Sequence, residues 1–209
     1  MIEPASFALF VGISWALILA PGPDMLYVIT RGMAHGRRAG IVSAIGVVCG
    51  ILVHTTATAF GTTLIFQTSA LAFLMVKYLG AIYLIYLSII TWQNKSAFNP
   101  QSSSADANSR SLFWQGVLSN VLNPKIAVFF LAFLPQFVNQ EGGQITLQMT
   151  ILGLTFALFG LIFLISVGYF AGAVGAWASN RPRYTTTLRW LSGGVLFVLG
   201  ARLAFMKLR

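Results

Sequence analysis

Proline interrupts two long hydrophobic segments of this chain, at corresponding places in its two halves. The first interruption lies at residues 20–24 and the second at residues 123–125, and a charged residue, Asp24 or Lys125, closes each of them. In lipid, backbone groups that lose their helical partners cost several kcal/mol unless protein or water satisfies them. Interrupted helices at matching positions of two halves are typical of the substrate site of a secondary transporter.

The composition is that of an integral membrane protein. The chain has 209 residues, of which 57% are hydrophobic and 8% charged, and its mean hydropathy is +0.81. A soluble domain is usually about 25% charged. The net charge of +9 comes from Lys and Arg residues scattered singly at the ends of apolar runs. That placement sets membrane orientation and does not form the basic face that a nucleic-acid partner would need.

The hydrophobic pattern predicts an all-α membrane protein of six transmembrane helices, because a span of about 20 apolar residues crosses the hydrocarbon core. The predicted spans cover residues 5–30, 39–66, 70–92, 112–138, 147–173 and 187–206. The polar segment between the third and fourth spans divides the chain into a first three-helix repeat (1–92), a cytoplasmic linker (93–111) and a second three-helix repeat (112–209).

The two halves show signs of a duplication. The segment 77–81, Lys-Tyr-Leu-Gly-Ala, is similar to 189–193, Arg-Trp-Leu-Ser-Gly. Each half has an odd number of spans, so the repeats would have opposite topologies, with the first and fourth helices broken. Lys77 and Arg189, near the starts of their spans, are expected to anchor their helices at opposite surfaces.

Charge placement predicts the orientation. Glu3 and Glu141 fall on one side of the membrane. Most of the basic residues fall on the other side, namely Arg31, Arg37, Arg38, Lys95, Arg110, Arg181, Arg183 and Arg189. The basic side is expected to be cytoplasmic, with both termini outside, although a basic C-terminal tail favours the opposite placement of that end.

The second break has the features of a helix start inside the membrane. Asn123 is a good N-cap and Pro124 a good first helical residue. Pro124 also leaves the carbonyl of Asn120 without a helical donor. The positive end of the half-helix would favour an anion, and Lys125 adds a full charge too deep in the span for easy snorkelling. The alternative interpretation is a proline kink with a snorkelling lysine.

The first break carries the only acidic residue within the predicted spans, Asp24. Pro21 and Pro23 leave the carbonyls of Leu17 and Leu19 without helical donors. A carboxylate that exchanges a proton for a cation is what a proton-coupled exporter needs, so Asp24 is the predicted proton-coupling group, with the lysine of the second break as its partner. Alternatively, Asp24 is a capping residue near the cytoplasmic end.

Other polar and small residues complete the candidate site. The predicted substrate-binding residues are Pro21, Gly22, Pro23, Asp24, Asn123, Pro124 and Lys125. Candidate pore-lining residues are His54, Thr58 and Gln136. His54 would be either a hydrogen-bonded packing residue or a proton relay. The glycine pairs 46/50 and 168/172 indicate close helix packing, either inside one bundle or between the subunits of a homodimer.

Several chemistries are not expected. Two histidines and one cysteine cannot supply a metal site of usual ligand spacing, and no cofactor motif is present. The chain also lacks a phosphate-binding loop and a nucleophile elbow, so ATP-driven transport and hydrolase activity are not expected.

The ordered set of motifs resembles the superfamily of amino-acid exporters that includes the lysine exporter and the homoserine/threonine-resistance proteins. The similarity runs along nearly the whole chain. Its motifs are the Pro-Gly-Pro of 21–23, residues 77–84, the Asn-Pro-Lys of 123–125, and the Phe-Leu-Pro-Gln-Phe of 133–137. The resemblance implies a multi-pass exporter in the bacterial inner membrane, driven by protons, with substrates such as threonine, homoserine or its lactone.

The sequence therefore predicts alternating access around a site between the two broken helices. A zwitterionic amino acid would offer its carboxylate to the second break, while its ammonium group competes with a proton for Asp24. Two other interpretations stay open: a lipid flippase or membrane-embedded lipid-handling protein, and a passive channel without proton coupling.

Overall fold

The computed structural model describes residues 2–68, 70–93, 108–139, 143–171, 173 and 182–205. Throughout these residues the regular structure is helical, without strands. The α-helices are α1 Pro4–Leu19, α2 Pro23–His35, α3 Arg37–Thr68, α4 Ala70–Gln93, α5 Ser109–Val121, α6 Pro124–Val128, α7 Ile145–Tyr169 and α8 Pro182–Phe205. A π-helix, Phe129–Phe133, and a 3₁₀-helix, Leu134–Phe137, continue α6.

Three to five of the described helical units are long and apolar enough to cross a membrane. Three of them are single helices, at Arg37–Gly61, Leu74–Gln93 and Ile145–Tyr169. The other two are pairs joined at a break: α1 with α2, and α5 with Pro124–Phe137, each pair bent by 48°. The chain is thus an all-helical protein with several membrane-spanning segments, and the count of six spans stays a prediction.

Both breaks occur where the prolines predict them, whereas several helix boundaries differ from the predicted ones, and α8 begins at Pro182 instead of residue 187. The fourth span begins at Ser109 instead of residue 112, because the Asn108 side chain accepts a hydrogen bond from the backbone N–H of Arg110 at 3.2 Å and caps the helix. The predicted linker residues 94–107 lie outside the described residues, as do Glu141 and the side chain of Arg189.

Glycines let α3 approach two other helices at backbone distance. A Cβ on Gly40 would lie 2.5 Å from the carbonyl oxygen of Gly168 on α7. Further along, Gly153 of α7 faces Thr55 of α3, so the two helices run antiparallel. No side chain fits between backbones this close, and the glycines therefore set the distance between the helices.

The other predicted glycine contacts also lie inside the bundle. A Cβ on Gly46 would lie 2.2 Å from the Phe113 carbonyl oxygen of α5, and one on Gly50 would lie 2.7 Å from Cβ of Asn120. Gly172 is outside the described residues. Packing within one bundle accounts for Gly46 and Gly50, and a homodimer stays a prediction.

Helix α4 packs against α8, and this arrangement corrects the expectation for Lys77. A Cβ on Gly200 of α8 would lie 2.9 Å from the carbonyl oxygen of Ala81, and Gly80 faces Ala132 in the π-helix. These neighbours cover the face of α4 that carries Lys77, whose side chain is only 3% exposed. Lys77 is therefore buried within the protein and does not anchor α4 at a surface.

Two arginines form hydrogen bonds between the ends of neighbouring helices. The Arg31 guanidinium, at the end of α2, donates to Oε1 of Gln115 at 3.0 Å. Arg37, at the start of α3, donates to the Tyr169 hydroxyl at 3.3 Å and lies 4.7 Å from the centre of its ring. Between them, Gly36 adopts φ 84°, a conformation that favours glycine and lets the chain turn from α2 directly into α3.

We expect the Gly40→Ala substitution to destabilise the protein by about 1–3 kcal/mol, because the new methyl group would overlap the backbone of Gly168. The measurement is the apparent melting temperature of the purified protein in detergent. Gly194→Ala is the matched control, since a Cβ there has no neighbour within 4 Å among the described atoms. Equal melting temperatures for the two variants would contradict the proposed role of the close contact.

Candidate functional site

The first break leaves backbone carbonyl groups without helical donors, and Lys125 donates to two of them. Helical hydrogen bonding in α1 ends with the Ala20 N–H, and α2 resumes with Leu26 N–H donating to the Gly22 carbonyl. The carbonyl oxygens of Leu17 and Ala20 accept hydrogen bonds from Nζ of Lys125, at 3.0 and 2.8 Å. Leu17 is one of the two carbonyls that the prolines were predicted to free, the other being that of Leu19. The second acceptor of Lys125 is instead the carbonyl of Ala20, the extended residue with ψ 114° that ends α1.

The second break is capped as its sequence predicts. Oδ1 of Asn123 accepts a hydrogen bond from the Lys125 backbone N–H at 3.0 Å, and Pro124 takes the first helical position. Pro124 leaves the Asn120 carbonyl without its usual donor. That oxygen accepts from the N–H of Asn123 at 2.9 Å and lies 3.1 Å from Nε2 of His54.

The carboxylate of Asp24 is held by amides of the second break. Its Oδ2 accepts hydrogen bonds from Nδ2 of Asn120 at 2.8 Å and from Nδ2 of Asn123 at 2.9 Å. Its Oδ1 is buried, and no described residue donates a hydrogen bond to it. The predicted partner of Asp24 was the Lys125 ammonium. In the structure, Asp24 instead accepts from two amides and Lys125 donates to two carbonyls. These four hydrogen bonds join the two broken helices.

Asp24 and Lys125 line one cavity. Its described lining consists of Leu17, Ile18, Ala20, Gly22, Asp24, Met25, Ile51, Asn123, Lys125, Ile126, Phe156, Gly160 and Leu164. The polar side chains in this lining all come from the two breaks, and α3 and α7 contribute an apolar wall. The volume open to the centres of water molecules is about 30 Å³, which is room for about two waters. A solute much larger than water therefore requires the cavity lining to move.

Gly22 is a cavity residue for a steric reason. A Cβ at this position would lie 3.2 Å from Nζ of Lys125. Glycine therefore leaves the space in which the ammonium group reaches the two carbonyls. Pro21, Pro23 and Pro124 act at the breaks through their missing N–H groups and are not among the described residues that line the cavity.

The three candidate pore-lining residues lie outside this cavity lining. The His54 ring packs 5.8 Å from the ring of Phe130 and reaches the Asn120 carbonyl. The side chain of Thr58 is buried on α3. Gln136 donates weakly to the carbonyl oxygen of Ala132, at 3.4 Å. Their role in a transport path stays a prediction.

The side chain of Asn120 is a site residue absent from the predicted set. Only its backbone carbonyl was expected to matter, whereas its amide donates to Asp24. A signal was available, because Asn120 is a polar residue inside a predicted span and lies one turn before the Asn-Pro-Lys motif. The close approach of Gly50 creates the space for its side chain.

The comparison with known protein families agrees with this architecture. The family described as LysE type translocator matches residues 15–207, nearly the whole chain. The chain belongs to this family. It is therefore a transporter and not an enzyme, and the site between its broken helices belongs to a multi-pass membrane translocator.

Relatives of the translocator are found in several bacteria. An uncharacterized membrane protein YrhP of Bacillus subtilis is 27% identical over 206 residues, which cover 94% of this chain and 97% of the relative. A homoserine/homoserine lactone efflux protein of Salmonella typhimurium is 30% identical over 191 residues, covering 91% and 92% of the two chains. No solved structure gives a significant match to this translocator.

We expect Lys125→Met to destabilise the translocator by about 1–3 kcal/mol per carbonyl left unsatisfied at Leu17 and Ala20. Pro21→Ala restores an N–H that can donate to the Leu17 carbonyl. The cost of Lys125→Met should therefore be smaller in a Pro21→Ala background. Melting temperatures of the wild type, both single variants and the double variant measure this coupling. Purely additive effects would contradict the assigned hydrogen bonds.

Proposed function

We propose that this translocator exports zwitterionic amino acids or close derivatives from the cytoplasm in exchange for protons. The observation that carries the proposal is the pair of charges on one cavity, Asp24 and Lys125, each with hydrogen-bonding capacity left. An ammonium group has three N–H donors, and that of Lys125 uses two of them on carbonyls. The third donor and Oδ1 of Asp24 match the two charged groups of an amino acid.

The mechanism follows from this match. The substrate carboxylate accepts a hydrogen bond from the Lys125 ammonium, and the substrate ammonium donates to Oδ1 of Asp24. A proton bound to Asp24 removes the negative charge that holds the substrate ammonium. Proton and substrate thus compete for one carboxylate, and a protein that opens alternately to the two sides exchanges them. The candidates named by the resemblance, threonine, homoserine and homoserine lactone, all carry this ammonium group, and an efflux relative is named for the last two.

The architecture that we propose for this exchange is six spans in two inverted three-helix repeats, 1–92 and 112–209, joined by a cytoplasmic linker at 93–111. Antiparallel packing of α3 on α7 and of α4 on α8 supports it, because these are the equivalent second and third spans of the two halves. The equal 48° bends of the two broken pairs support it too. We place the protein in the bacterial inner membrane with the linker inside.

Asp24→Asn should abolish proton-driven transport, because the amide cannot exchange a proton for the substrate ammonium. The measurement is uptake of a radiolabelled neutral amino acid into inside-out vesicles with an acidic lumen, at matched protein levels. Glu3→Gln is the control, since this carboxylate precedes α1 and lies outside the cavity lining. Wild-type, gradient-driven uptake by Asp24→Asn would place the coupling group elsewhere, with His54 the next candidate.

The proposed roles of the two charges also predict which solutes compete for the site. Leucinamide has the ammonium but no carboxylate, and we expect it to inhibit leucine transport at least about tenfold less than leucine itself, the loss of one charged hydrogen bond. In Lys125→Met, leucine and leucinamide should inhibit leucine transport more equally than in the wild type. Equal inhibition by leucine and leucinamide in the wild type would rule out carboxylate recognition by Lys125. Stimulated movement of lipid headgroups without amino-acid uptake would favour a flippase.

A further inference from the structure

The cavity that contains the two charges also has an apolar wall, contributed by α3 and α7. Phe156, Gly160 and Leu164 follow one another at intervals of four residues on α7, so they lie on one face of this helix. Ile51 of α3 joins them in the lining. Among the described lining residues, the side chains of Asp24, Asn123 and Lys125 are the ones that can form hydrogen bonds, and all three belong to the breaks.

Gly160 forms a notch in this wall. It lies one turn from Phe156 on one side and one turn from Leu164 on the other. A Cβ built on Gly160 would lie 3.2 Å from Cδ1 of Ile51, with no other neighbour within 4 Å. The space beside Gly160 is thus limited by the flexible end of one isoleucine, whereas larger side chains fill the wall on both sides of it.

We propose that this wall is the subsite for the substrate's side chain, that it selects uncharged apolar side chains, and that the notch at Gly160 sets their size. The inference rests on the proposed function, since Asp24 and Lys125 orient the substrate by its two charged groups. Once those groups lie at the breaks, the side chain of an amino acid is directed to the remaining lining, which is apolar.

The chemistry of the wall determines which amino acids it disfavours. A lysine or arginine side chain would bury a second cation without a partner. A hydroxyl would lose its hydrogen bonds to water, although an apolar site rejects an added hydroxyl only modestly, by up to about 100-fold for threonine against valine. Threonine and homoserine would therefore be weaker substrates of this protein than valine and methionine.

Valine and threonine form the sharpest test, because they have nearly the same shape. Inside-out vesicles containing the wild-type protein take up radiolabelled leucine while unlabelled competitors are added one at a time. We expect valine to compete about 10- to 100-fold better than threonine, and methionine to compete much better than lysine. Competition by threonine or lysine equal to that of the apolar partner would overturn the subsite.

Gly160→Ala tests the notch directly. The added methyl group should reduce leucine transport relative to alanine transport by about tenfold, because only the longer side chain extends into the filled space. Gly12→Ala is the matched control, since a Cβ there has no neighbour within 4 Å and the residue is not in the cavity lining. An unchanged leucine-to-alanine ratio in Gly160→Ala would overturn the role of Gly160, whereas a merely destabilised protein would lose both activities equally.

The same vesicles separate failure of this inference from failure of the proposed function. If zwitterionic amino acids compete whatever their side chain, the apolar subsite is wrong and amino-acid export stands. If no amino acid competes or is transported, the proposed function is wrong, and the subsite with it.

Discussion

The structure depends on hydrogen bonds that the two helix breaks make to each other. Lys125, from the second break, donates to the carbonyl oxygens of Leu17 and Ala20 in the first. Asp24, from the first break, accepts from Asn120 and Asn123 of the second. Within a membrane span, each of these groups would cost several kcal/mol if neither protein nor water satisfied it. Each break therefore requires the other, and this requirement holds the broken ends of the first and fourth predicted spans together.

The hydrogen bonds that stabilise the breaks do not use all the capacity of the two charges. One oxygen of Asp24 has no donor among the described residues, and the Lys125 ammonium has three N–H groups for two carbonyls. A buried charge is kept by satisfied partners, whereas a transport site needs a group that can still bind a solute. Neutral partners satisfy both charges and still leave them able to bind a solute. A direct ion pair between Asp24 and Lys125 would have to be broken before either charge could bind the proposed substrate.

Backbone contacts between helices position the rest of the cavity. Gly40 and Gly168 bring α3 and α7 close together. Ile51 of α3 and Gly160 of α7 are then neighbours in the apolar wall. Gly50 lets Asn120 approach α3, where His54 reaches its carbonyl. The cavity holds little more than water in this conformation. In the proposed transport cycle, substrate entry therefore requires the lining to move, and the contacts at the breaks are hydrogen bonds rather than packed glycine backbones.

The sequence by itself determined the local features: an all-helical membrane protein, breaks at the prolines, the cap of Asn123, and the orphaned carbonyls of Leu17 and Asn120. These follow from short-range rules, since a proline removes one N–H and a hydrophobic run has a countable length. Only the tertiary structure decided which groups meet. It gave Asp24 two amides in place of Lys125, buried the side chain of Lys77, and brought the side chain of Asn120 into the site. These pairings join residues that are far apart in the sequence and depend on interhelical distances set by glycine contacts, such as Gly50 with Asn120 and Gly80 with Ala132, and no local rule specifies them.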